Sequence, residues 1–112
     1  PLGDRVLQHV GQVLRDSLPP HAAAARYGGE EFCVILNQCT DLGSAHAFAE
    51  QLRLKIQSLR IKARKADKVL DTITASFGVA LFEADDTLES LVTRADDALY
   101  QAKRNGRNRV HR

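Results

Sequence analysis

Two groups of residues in this 112-residue chain have the types and spacing to do chemistry. The first is Gly28-Gly29-Glu30-Glu31. Glycine lets a ligand approach bare backbone, and a carboxylate oxygen is a hard donor for Mg²⁺, so the run suits a phosphate chain with its metal. Successive side chains on a strand point to opposite faces, so only one of the two glutamates can face a given site directly. The same run also fits an ordinary glycine-glycine hairpin with solvated glutamates. The second group is Lys103 and Arg107, four residues apart. If a helix continues through both, they share one face, and a lysine point charge beside an arginine fork makes a phosphate clamp. The alternative is a basic last turn that complements the helix dipole. Asp96 and Asp97 read as surface or helix-packing residues. His9, His21, His46 and His111 are scattered without metal-ligand spacing, and no serine stands in a nucleophile elbow.

The elements that must position these groups follow from periodicity. Residues 4–18 predict a helix with Val6, Leu7, Val10, Leu14 and Leu18 on one stripe, stopped by Pro19-Pro20. Residues 22–27 and 31–36 predict two strands joined at the glycine pair. Asp41 can cap a second helix to about residue 59, with Ala45, Phe48, Ala49, Leu52, Ile56 and Leu59 inward. The basic stretch 62–68 reads as a solvated loop or helix end. Residues 72–82 alternate as a strand, with Ile73, Ala75, Phe77, Val79 and Leu81 on one face. Asp86 and Glu89 suggest a capping box for a third helix to about residue 104, with Leu88, Leu91, Val92, Ala95, Leu99 and Ala102 inward. Gly106 is a helix stop, and Arg109-Val110 could add a short last strand. The order is that of an α+β sandwich with helices over a sheet.

Composition limits the function classes. The chain is 44% hydrophobic and 27% charged, as expected of a single soluble globular domain spanning 1–112. Sixteen basic against 14 acidic residues leave a net charge of +2, too balanced for a duplex-binding surface, so no nucleic acid partner is expected. No apolar run approaches the roughly 20 residues of a membrane helix, and no signal peptide is visible, which makes membrane contact by this domain unexpected. Cys33 and Cys39 do not form a disulfide framework, and a reducing, cytoplasmic compartment is the default.

Arg26-Tyr27-Gly28-Gly29-Glu30-Glu31-Phe32 resembles the signature hairpin of GGDEF-domain diguanylate cyclases in its GGEEF form. Residues 2–7 are similar to the segment opening that family's first long helix. Ser76-Phe77-Gly78-Val79-Ala80 is similar to its serine-x-glycine-valine strand, and residues 94–108 to its C-terminal helix and turn. The resemblance implies a central, mainly antiparallel sheet flanked by helices, as in nucleotidyl cyclases and polymerase palms. It also implies condensation of two GTP molecules into cyclic di-GMP by two domains meeting face to face, with Mg²⁺ or Mn²⁺. By resemblance, Glu30 is a metal ligand that helps deprotonate the attacking hydroxyl, and Glu31 is a second acidic group at the metal. Gly28 and Gly29 give close backbone approach, Asp4 reads the guanine edge, and Lys103 and Arg107 hold phosphate. A sensor domain is expected upstream in the parent chain, which could itself be membrane-anchored. A non-catalytic regulatory or binding module is the alternative.

Two departures qualify the resemblance. The family's first strand, which carries another metal-binding aspartate and precedes a guanine-contacting asparagine, would lie before Pro1. The chain is therefore expected to be a domain truncated at its N-terminus and inactive alone. The 31–36 and 72–82 strands would then pair directly, join an exchanged dimer, or receive a strand from residues outside 1–112. Many members also carry an Arg-x-x-Asp product-inhibition motif; its positions are Pro19 and Ala22 here, neither of which can make a charge-assisted contact.

Overall fold

The computed structural model describes residues 3–28, 31–37, 39–59 and 73–112; Thr72 and the basic stretch 62–68 lie outside them. The order is α1 (Asp4–Ser17), β1 (Ala22–Gly28), β2 (Glu31–Leu36), α2 (Leu42–Gln57), β3 (Phe77–Gly78), α3 (Leu88–Arg104) and β4 (Val110–His111).

Helix α1 forms where the apolar spacing predicts it, with Leu7, Val10 and Leu14 buried one helical turn apart. Asp4 in its first turn places a negative charge at the positive end of the helix dipole. The helix stops at Leu18, whose extended backbone is what a following proline enforces. The Ala22 N–H then donates to the Pro19 carbonyl across a tight turn, with His21 in a left-handed conformation at φ 67°. The chain thereby reverses into β1, which pairs antiparallel with β2 from Ala22 opposite Leu36 to Gly28 opposite Glu31. One irregularity interrupts this ladder, between Arg26 and Gly28.

Asp41 caps α2 as predicted, accepting from the Ser44 N–H and hydroxyl, both at 2.9 Å. Those bonds hold its carboxyl below the ordinary carboxylate value. Ala49, Leu52 and Ile56 are the buried residues of α2. Leu52 and Ile56 join Val10, Leu14 and Ile73 in the core, with Phe32, Val34 and Phe77 packed around it. Each such Leu or Ile contributes about 2 kcal/mol by leaving water.

The strand expected over 72–82 is shorter among the described residues: only Phe77–Gly78 belong to a ladder. They pair in parallel with Val110–His111, with the Phe77 N–H donating to the Arg109 carbonyl and the Val79 N–H to the His111 carbonyl, both at 2.9 Å. The predicted last strand is thus displaced by one residue. The described strands form two separate two-stranded sheets. Direct pairing of 31–36 with 73–82 does not occur; the two sheets meet through core side chains instead.

The alternation expected along 73–82 is only partly visible in the burial. Ala75, Phe77 and Val79 are half-buried, but so are Ser76, Gly78 and Ala80, because α3 lies on that second face. A Cβ on Gly78 would run into the Ala95 carbonyl oxygen and the Leu99 backbone, so helix and strand touch main chain to main chain. Ala98 and Ala102 are the buried residues of α3.

Two details of α3 differ from the sequence reading. Its N-cap is Thr87, which accepts from the Ser90 N–H at 3.1 Å while the Ser90 hydroxyl accepts from the Thr87 N–H at 2.9 Å. Asp86 cannot serve, because its carboxylate is engaged by the Glu83 N–H, the Ser90 hydroxyl and Arg94. Leu88, expected inward, is the first residue of α3 and is 66% exposed.

Candidate nucleotide site

The antiparallel register of the hairpin places Gly28 opposite Glu31 at its tip. Gly29 and Glu30 lie outside the described residues. The carboxylate of Glu31 stands 3.6 Å from Nζ of Lys103, which reaches across from the last turn of α3. Both side chains are more than a third exposed, so this pair contributes about 0–1 kcal/mol and is exchangeable for ligand contacts. The carbonyl end of α3 also favours a cation at this place.

Arg107 does not share a helical face with Lys103. Helix α3 ends at Arg104, and three left-handed residues follow: Gly106 at φ 117°, Arg107 at φ 61° and Asn108 at φ 48°. The Arg107 N–H closes the end of the helix by donating to the Ala102 carbonyl at 2.9 Å, a Schellman-type bond. The Arg107 side chain is exposed, and among the described residues its guanidinium has no partner.

Asp4 is exposed in the first turn of α1. Its spacing to Leu7, Gln8 and Gly11 puts all four on one helix face. The last three line a groove of about 210 Å³ between α1 and the hairpin, with Ala24, Ala25, Arg26 and Phe32 opposite. Asp4 is not among the residues that line it. The structure brings Glu31 and Lys103 together; among the described residues, no hydrogen bond or ion pair joins Asp4 or Arg107 to them.

The sequence reading passed over a polar cluster behind the Arg107 turn. Arg53 on α2 donates twice to Glu50, at 2.7 and 2.6 Å, and once to Oδ1 of Asn108 at 2.8 Å. The Asn108 N–H donates to the Ser76 hydroxyl at 3.0 Å. The i,i+3 spacing of Glu50 and Arg53 was visible in the sequence, but their long-range partner was not. The hydrogen bonds from Arg53 hold the Glu50 carboxyl below its ordinary value. Burial pushes the Cys33 thiol up, which disfavours the thiolate needed of a nucleophile or metal ligand.

The described arrangement is a hairpin with a glycine at its tip and an acid beside a lysine, over an α+β core. The family model for the GGDEF domain of diguanylate cyclases matches residues 1–109. The chain belongs to that family. It is 43% identical to diguanylate cyclase VdcA of Vibrio cholerae over 108 residues, covering 96% of this chain and 32% of that protein. It is 41% identical to diguanylate cyclase A of Treponema denticola over 109 residues, covering 96% of this chain and 28% of that protein. The chain thus spans about a third of the length of these curated relatives. Among solved structures, the GGDEF domain of DgcB from Caulobacter crescentus in complex with c-di-GMP superposes with a TM-score of 0.90 at 37% identity, over 96% of this chain and 63% of that one. The active GGEEF domain of a diguanylate cyclase from Vibrio cholerae gives 0.77 at 31% identity, over 96% and 66%.

Proposed function

We propose that this chain is the nucleotide-condensing domain of a diguanylate cyclase, joining two GTP molecules into cyclic di-GMP. The observation that carries the reading is the approach of Glu31 to Lys103, which sets an acid for a metal beside a cation for phosphate. The family membership and the DgcB complex with c-di-GMP support it.

In this reading Gly28 and Gly29 let the triphosphate lie against the backbone, Lys103 and Arg107 hold its charge, and Asp4 accepts from the guanine N1–H and amino group. Glu30 is the catalytic carboxylate and would hold the metal, and Glu31 is a second acidic group at that site. Two domains meet face to face, and the 3′-hydroxyl of each nucleotide attacks the α-phosphate of the other, expelling pyrophosphate.

The metal suggested by this chemistry is Mg²⁺ or Mn²⁺. Among the described residues no three His, Cys, Asp or Glu side chains gather into a full protein ligand set. An ion of this class is usually held by one or two carboxylates together with substrate phosphates. When bound, such an ion lowers the pKa of the attacking hydroxyl and neutralises phosphate charge. We place the domain, residues 1–112, in the cytoplasm as part of a longer chain with an upstream sensor; no helix among the described residues is long and apolar enough to cross a membrane.

The decisive experiment is Glu30→Ala in the full-length protein. Synthesis of cyclic di-GMP is expected to fall by several kcal/mol of transition-state stabilisation, with thermal unfolding unchanged. Near-normal turnover would defeat the assignment.

Feedback provides a second test. Pro19 and Ala22 close a turn through their backbones and offer no charge to the product. Progress curves are expected to show no tight product inhibition through this position. Strong cyclic di-GMP binding in calorimetry that weakens on changing Pro19 or Ala22 would refute it.

A further inference from the structure

Arg107 occupies an unfavourable stretch of backbone. Left-handed conformation suits glycine and is tolerated by asparagine, but an arginine held there, between two other left-handed residues, persists only where its surroundings over-determine it. The surroundings can be named. The Arg107 N–H is bound by the Ala102 carbonyl, and the Arg107 carbonyl accepts from Nε of Arg109 at 3.1 Å. Asn108 is fixed at both ends, by its N–H to the Ser76 hydroxyl and by its Oδ1 to Arg53.

Arg53 is an unusual partner for such a turn. It lies 55 residues away in sequence, on a different helix. Its side chain is only 14% exposed. Glu50 grips Nε and Nη2 in a fork-to-fork pair, and Gln57 takes Nη1 at 3.2 Å, which leaves the remaining reach of Nη1 aimed at Asn108. An ordinary surface ion pair would not be covered, would not be locked on both edges, and would not span two elements. The Arg107 guanidinium, by contrast, is exposed, with no partner among the described residues.

We infer that Arg53 is a positioning residue for nucleotide binding: through Asn108 it fixes the left-handed turn that presents Arg107 to the substrate's phosphates. This deepens the proposed function and rests on its reading of Arg107 as a phosphate ligand. Arg53 touches no substrate. Its role is to reduce the ordering that the turn must undergo when the triphosphate arrives. The serine of the Ser76-Phe77-Gly78 segment gains a role as well, since its hydroxyl anchors the same asparagine from the strand side.

The test is a double-mutant cycle in the full-length protein, read as the dissociation constant for 3′-deoxy-GTP with Mg²⁺. That nucleotide lacks the attacking hydroxyl, so binding is measured apart from turnover. Arg107→Ala is expected to weaken binding about tenfold or more, the scale of a lost charge-assisted contact. Arg53→Met is expected to weaken it roughly three- to tenfold. In the Arg107→Ala background, Arg53→Met is expected to cost nothing more, because its effect runs through the residue already removed. A merely structural role would add in full.

Unchanged affinity in Arg53→Met, or full additivity with Arg107→Ala, overturns the inference while leaving the phosphate reading intact. Unchanged affinity in Arg107→Ala overturns both. If Arg53→Met does not fold, Asn108→Gly removes the same contact while easing the left-handed backbone. Weakened binding with an unchanged melting temperature then supports positioning, and unchanged binding refutes it.

Discussion

The two arms of the candidate site are built in opposite ways. The acidic arm is the β1–β2 hairpin, where neighbours in sequence hold each other through one antiparallel ladder. The cationic arm is the end of α3 and the turn after it, which depends on distant residues. Its helix rests on the strand at Gly78, and its turn is tied to Ser76 and Arg53 across sequence separations of 32 and 55. A hairpin of this kind needs little from the rest of the molecule to reach its shape, although it needs packing to stay there. The cationic arm closes its helix end locally, through the Arg107–Ala102 bond, but its anchors at Asn108 exist only once α2 and the Ser76 segment have docked. Damage to packing should therefore disable phosphate binding before it disturbs the acidic tip.

The largest break in that comparison is expected from Gly78→Val. The new side chain would meet α3 backbone rather than a movable side chain, so the helix must shift away from the strand. Overpacking of this severity costs about 3 kcal/mol. Chemical denaturation of the full-length protein should show that loss, and GTP affinity should fall with it, while hydrogen exchange in the hairpin ladder changes least. An unaltered unfolding midpoint would mean that α3 slides freely over the strand.

A smaller effect is expected from Gly106→Ala. At φ 117° a side chain is strained whatever the space around it, and the nearest obstacle is the flexible Arg109 side chain. The cost should be roughly 1–2 kcal/mol, mostly in the turn. Weaker nucleotide binding with an unchanged hairpin spectrum by NMR would sharpen the contrast between the arms; equal disturbance of both would erase it.

Acid should give the smallest effect and follow the same division. The carboxyls of Asp41, Glu50 and Asp86 all lie below their ordinary values in the folded state, Glu50 chiefly through its hydrogen bonds from Arg53. A depressed carboxyl contributes stability that is present above its unfolded value and is lost as the pH falls through the folded one. Stability should thus be flat near neutrality and decline once the pH drops below about 4. Because Glu50 steadies Arg53, protection of the Asn108 amide from exchange should be lost on acidification before protection of the β1–β2 ladder. The reverse order would remove Glu50 from the account of the turn.

Much of this was legible in the residues alone, wherever local physics decides. The spacing of Leu7, Val10 and Leu14, the proline pair at 19–20, the glycine pair at 28–29 and the Asp41 cap each act over a few residues, and helix and hairpin formed where they indicated. Resemblance assigned Lys103 to phosphate and Glu31 to the metal site without relating the two, and the structure brings them within 3.6 Å of each other. Tertiary structure decided the rest. Asp86 and Thr87 are adjacent, and which one caps α3 depends on the groups that claim Asp86 from the preceding turn and from Arg94. Residues 73–82 alternate like a strand, yet a strand is defined by its partner, and only Phe77–Gly78 find one in β4. Lys103 and Arg107 have the spacing of a helical pair, but Gly106 ends the helix between them. Periodicity records which face of an element avoids water. The hydrogen bond from Arg53 to Asn108 depends on how two such elements dock, and no short-range pattern encodes that geometry.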